Sequence, residues 1–130
     1  MPETISVKTN KRNEMVDITF SVQQQLENTG LADGICTVFV PHTTAGVTIN
    51  EGADPDVCID IIRKLNELAP PDDGYHHREG NSDSHIKASL VGSSVSVIIE
   101  KGRLVLGTWQ KIFFCEFDGP RSRKVYLKFI

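Results

Sequence analysis

Residues 34–50 read Gly34-Ile35-Cys36-Thr37-Val38-Phe39-Val40-Pro41-His42-Thr43-Thr44-Ala45-Gly46-Val47-Thr48-Ile49-Asn50. The first seven are a β-prone run that Pro41 ends, and Val47 to Asn50 form a second short run of the same kind. Two strands are therefore expected, with the polar connection from His42 to Gly46 at their ends. Downstream, Asp54-Pro55 has the form of an N-cap followed by proline in the first helical turn. Val57, Cys58, Ile61, Ile62, Leu65 and Leu68 then give a wide apolar stripe that Pro70-Pro71 closes, which predicts a helix. Upstream, Ile5 and Val7 alternate with polar residues, and Met15-Val16-Asp17 is the expected hairpin partner across Thr9 to Asn13. Asp17 suits an N-cap for a helix over 18–29, with Ile18, Val22 and Leu26 inward and Gly30 as its stop.

From Pro70 to Ser84 the composition turns to Pro, Asp, Gly, His, Asn and Ser, so a long loop is expected, and loops of that length in compact domains tend to be functional. The last third is strand-rich: Val95, Val97 and Ile99 alternate, Lys101-Gly102 makes a tight turn, and Val125, Leu127 and Phe129 alternate again. Strands flanking two main helices predict a single α+β domain over 1–130, a sandwich whose sheet is largely antiparallel.

The chain of 130 residues carries a formal charge of -3, which does not favour nucleic acid as a partner. Its start, Met1-Pro2-Glu3-Thr4, lacks a basic segment followed by an apolar core, and no apolar run approaches the ~20 residues of a membrane helix. A cytoplasmic protein with no membrane partner is expected. Cys36, Cys58 and Cys115 are odd in number, far apart and set among apolar residues, which predicts structural thiols rather than disulfides or a thiolate metal site.

His42, His77 and His85 stand beside hydroxyl, amide or acidic residues outside the periodic apolar segments, where general bases or metal ligands are placed. Three neutral imidazoles could hold zinc or another divalent ion, although their intervals match no compact ligand motif. Thr43 and Thr44 beside Gly46 offer small donors for an oxyanion or phosphate, or else cap a strand end. Glu51 could orient an imidazole or hold magnesium. Lys87, after His85, and Arg121, in the turn Asp118-Gly119-Pro120-Arg121, are the cations expected near an anionic ligand. Gly107-Thr108-Trp109-Gln110 breaks a strand pattern, which marks either close approach to a ligand or a buried tryptophan.

Read in order, His42-Thr43-Thr44-Ala45, Asn50-Glu51 with Asp54-Pro55, Tyr75-His76-His77, Ser84 to Ser89, Gly107 to Gln110 and Asp118 to Arg121 form a signature spanning nearly the whole chain. In this it resembles the secondary thiamine-phosphate synthase (YjbQ-like) family. The family pattern of tyrosine, any residue, histidine falls on Tyr75 and His77, leaving His76 variable. The resemblance implies a homotrimer and a pocket where His42, His77 and His85 hold a metal, magnesium or zinc, or an anion. It also implies an activity: joining hydroxymethylpyrimidine diphosphate to thiazole phosphate. Thr43, Thr44, Glu51, Lys87, Thr108, Trp109, Gln110 and Arg121 are the expected substrate-binding set and the three histidines the catalytic one. Two other functions fit the same residues: a metal-dependent hydrolase of a small phosphorylated or carbonyl substrate, and a non-catalytic small-molecule or anion-binding module.

Overall fold

In the computed structural model, which describes residues 2–130, eight strands and three helices follow one another along the described chain. Strands β1 (Glu3–Lys8), β3 (Gly34–Phe39), β5 (Ser94–Glu100), β6 (Arg103–Leu104) and β8 (Ser122–Phe129) make a five-stranded sheet in the order β1-β8-β3-β5-β6. Strands β2 (Glu14–Asp17), β4 (Ala45–Glu51) and β7 (Gln110–Glu116) make a second sheet in the order β2-β7-β4. Every pairing is antiparallel. The fold is an α+β sandwich, as its sequence pattern predicts.

Alternation along the strands decides what lies between the sheets. Ile5, Val7, Cys36, Val38, Val97, Ile99, Val125 and Leu127 point inward from the larger sheet, and Val47, Ile112 and Phe114 from the smaller. Val22 and Leu26 of α1 (Thr19–Thr29) close this core. The central strand β7 is buried along Ile112 to Glu116 because its second face, with Phe113 and Cys115, is covered too. Ala88 and Val91 of α3 (Ser82–Val91), and Cys58 and Leu65 of α2 (Pro55–Leu68), pack there. Asp54 caps α2 through its carboxylate and the Asp56 N–H, 2.9 Å apart, as expected. Asp17 sits one residue before the N-cap position of α1 and accepts from the Thr19 N–H, while Gly30 ends that helix in a left-handed conformation.

Two expectations are corrected. Ile5-Val7 and Met15-Asp17 do not form a hairpin: β1 pairs with β8 and β2 with β7, in different sheets. The connection crosses between the sheets because Thr9 is pinned where they meet, its N–H to Arg121 O at 2.9 Å and its hydroxyl to Glu116 Oε1 at 2.8 Å. The irregular segment is also shorter than expected, because α3 starts at Ser82. This helix has no apolar stripe: its buried positions include Asp83, Ser84 and Lys87, while Ile86 and Leu90 are exposed. Among the described residues no helix is long and apolar enough to cross a membrane.

Candidate functional site

The segment between β3 and β4 turns at Pro41-His42-Thr43 and is fastened on both sides: Val40 N–H donates to Ser93 O at 2.8 Å, and Phe117 N–H to Thr44 O at 3.2 Å. Gly46 then lets the end of α3 lie against β4, for a Cβ there would sit 2.5 Å from Gly92 O. This close approach puts His85 beside His42. The two histidines and Thr43 line two adjoining hollows, one of about 360 Å³ toward Arg121 and Arg123 and one of about 530 Å³ toward Ala88 and Ser93.

His42 is half-buried, and its Nε2 accepts from the Lys124 N–H at 3.0 Å. The ring therefore carries its proton on Nδ1 when neutral, making it a donor. Burial first, and then the Arg123 charge, hold its pKa below the ordinary imidazole value. His77 stands edge-on to His85, ring centroids 5.4 Å apart, with its Nε2 3.7 Å from Glu79 Oε2. A three-histidine metal centre does not fit this geometry, because the Nε2 of His42 is already engaged. Among the described residues no group of three His, Cys, Asp or Glu is arranged to hold a metal ion.

Beneath Thr44 lies a polar network with no counterpart in the sequence reading. The Arg123 guanidinium donates through Nε to Glu116 Oε1 at 2.8 Å and through Nη2 to Thr44 Oγ1 at 2.9 Å and to Glu116 Oε2. Burial pushes the Glu116 carboxyl up, but hydrogen bonds from Arg123, the Asp118 amide and Thr9 outweigh it and hold it below the usual carboxylate range. The available signal was phase: Arg123 is two residues before Val125, and Glu116 two after Phe114, so both occupy inward positions of their strands.

Arg121 lines the smaller hollow, paired to Asp118 with Nε to the carbonyl at 2.8 Å and Nη2 to Oδ2 at 3.0 Å. Lys87 does not face it. Its ammonium is fully buried, 2.8 Å from Asp83 Oδ2 and 2.6 Å from Asn66 Oδ1, and Asp83 is also held by Arg12 at 2.9 Å. Lys87 thus points to the body side of α3 and ties α3 to α2.

Glu51, Thr108, Trp109 and Gln110 lie elsewhere. Glu51 pairs with Gln110 at the far end of the small sheet, six residues along β4 from Ala45, which is ~20 Å. Glu51 Oε2 accepts from the Ala53 N–H, and Gln110 Oε1 from the Gly107 N–H. Thr108 and Gln110 line a separate groove of about 340 Å³ with Asp17 and Arg103. Trp109 is 63% exposed, not a core residue. The signature residues therefore fall into two groups at opposite ends of one sheet.

The family model described as UPF0047 protein YjbQ-like matches residues 3–130. Similar proteins include UPF0047 protein YugU of Bacillus subtilis, 53% identical over 98% of both chains. A UPF0047 protein of Methanocaldococcus jannaschii is 56% identical over 95% of this chain and 90% of its own. Among solved structures, an uncharacterised conserved protein of the YjbQ/UPF0047 family from Clostridium acetobutylicum superposes with a TM-score of 0.97 at 54% identity, covering 98% of this chain and 99% of that one. A YbjQ-like protein of unknown function from Sulfolobus solfataricus gives 0.94 at 36% identity, with 98% and 94% covered.

Proposed function

The chain belongs to the YjbQ-like UPF0047 family, and from that premise we propose that its His42–His85 hollow binds a phosphorylated small molecule and supports a transfer of the thiamine phosphate synthase type. One observation carries this reading: His42, Thr43, His85, Arg121 and Arg123, all donor-bearing residues, line one hollow. In such a transfer the bond between the pyrimidine methylene carbon and the diphosphate oxygen breaks. Its electron pair leaves with pyrophosphate, and the thiazole nitrogen forms the new bond with its lone pair. The hard step is the build-up of charge on the departing oxygens, which fixed N–H and O–H donors stabilise. His42, as an Nδ1–H donor, faces that oxygen, and His85 exchanges a proton with the pyrophosphate.

The homotrimer that the family resemblance implies completes this reading if a second copy brings the exposed Trp109 to the hollow, since within one chain the Glu51–Gln110 end lies ~20 Å along β4; its face would border the heteroaromatic ring. Cytoplasmic residence completes the proposal. The test is thiamine phosphate formation from the pyrimidine diphosphate and thiazole phosphate with magnesium, comparing the natural chain with His85→Ala. Product from the natural chain alone supports the transfer; equal traces from both would leave a binding module.

A further inference from the structure

We infer that Arg123 anchors an anionic phosphate oxygen in the hollow beside His42, through the one arm of its guanidinium that the protein leaves free; this rests on the phosphate-binding reading above. Arg123 is a buried residue, its side chain only 6% exposed. Of five guanidinium N–H groups, three are spent on Glu116 and Thr44 through Nε and Nη2. Nη1 has no hydrogen-bond partner among the described residues. It is also not sealed away, since Asn81 Oδ1 is the buried unpartnered side-chain atom found among them. Solvent therefore reaches Nη1, and the hollow that Arg123 lines is the one bordered by His42, Thr43, Thr44 and Arg121.

A guanidinium clamped on one side and bare on the other is already in its bound rotamer, so a ligand oxygen meets it without ordering a long side chain. Lysine cannot replace it, because a single ammonium cannot hold both Glu116 oxygens, the Thr44 hydroxyl and a ligand. Charge is closely balanced here. Glu116 offsets Arg123, Asp118 offsets Arg121, and Glu79 stands at the rim. The hollow thus holds an anion by directed donors rather than by net charge, and the Glu116 clamp is what keeps Arg123 in its binding rotamer.

The test is calorimetric titration of the full chain with pyrophosphate, with inorganic phosphate as the second probe. Arg123→Lys is expected to bind at least tenfold more weakly and Glu116→Gln, which loosens the clamp on Arg123, severalfold more weakly. Unchanged binding in Arg123→Lys overturns the inference, and the Arg123 side-chain resonance separates direct contact with the ligand from mere support of Thr44. Should the variants not fold, arginine-selective ¹⁵N labelling of the natural chain decides. The Arg123 Nη1 resonance moves with pyrophosphate if the inference holds, and a resonance that stays while pyrophosphate binds refutes it. Binding is read without turnover, so a chain that holds pyrophosphate through Arg123 yet forms no thiamine phosphate refutes the transfer and leaves this assignment standing.

Discussion

Lys87→Met separates a ligand-binding cation from a structural one, since methionine keeps much of the buried stem and removes the ammonium. The Lys87 ammonium is 2.8 Å from Asp83 and 2.6 Å from Asn66, with both charged side chains sealed from water. Without it, Asp83 retains only Arg12, itself partly exposed. Stranding one partner of a buried pair costs about 3 kcal/mol. With an unfolding entropy of ~2.1 cal/mol/K per residue, a 130-residue chain should melt about 11 °C lower. Circular dichroism melting at neutral pH measures this, with pyrophosphate titration alongside. A shift below about 3 °C together with lost pyrophosphate binding would refute the reasoning and return Lys87 to the ligand.

Three further expectations follow from the same geometry. His42, with its pKa lowered by burial and Arg123, is harder to protonate folded than unfolded; the stability it contributes is present above the ordinary value of 6.5 and lost as pH falls through the folded pKa. An NMR titration placing His42 at or above that value would contradict it. Burial pushes the Cys36 and Cys115 thiols up to about 12, so iodoacetamide at pH 8 should spare both in the folded chain and reach half-buried Cys58 first, as peptide mapping would show. Trp109 should be strongly quenched by iodide in a dissociated chain and shielded in an assembled one; free quenching in the assembly would take the Glu51–Gln110 end out of any subunit contact.

Where one face of an element was apolar, its sequence declared it. Helix α2 carried a stripe, a cap and a closing proline, and β8 alternated cleanly, so both were legible. Helix α3 was not, because it buries Asp83, Ser84 and Lys87 and so inverts the usual pattern. Partnering of β1 depended on Thr9 contacts with Arg121 and Glu116, more than a hundred residues away in the chain, which no local pattern encodes. The site divided in the same way. His42, Thr43, His85 and Arg121 were marked by polar residues in turns or beside a loop, and the fold brings them together. Arg123 and Glu116 hide inside strands among apolar neighbours, and only their phase sets them apart from surface charges.

The most direct measurement is a ¹⁵N spectrum of the histidine side chains during titration with pyrophosphate. If the His42–His85 hollow is the phosphate site, the His42 and His85 ring resonances shift together and saturate at one affinity, with the exposed His76 unmoved. Saturable pyrophosphate binding that leaves both rings unshifted, and instead perturbs backbone amides around Glu51 and Gln110, would place the site at the other end of the sheet and contradict the account.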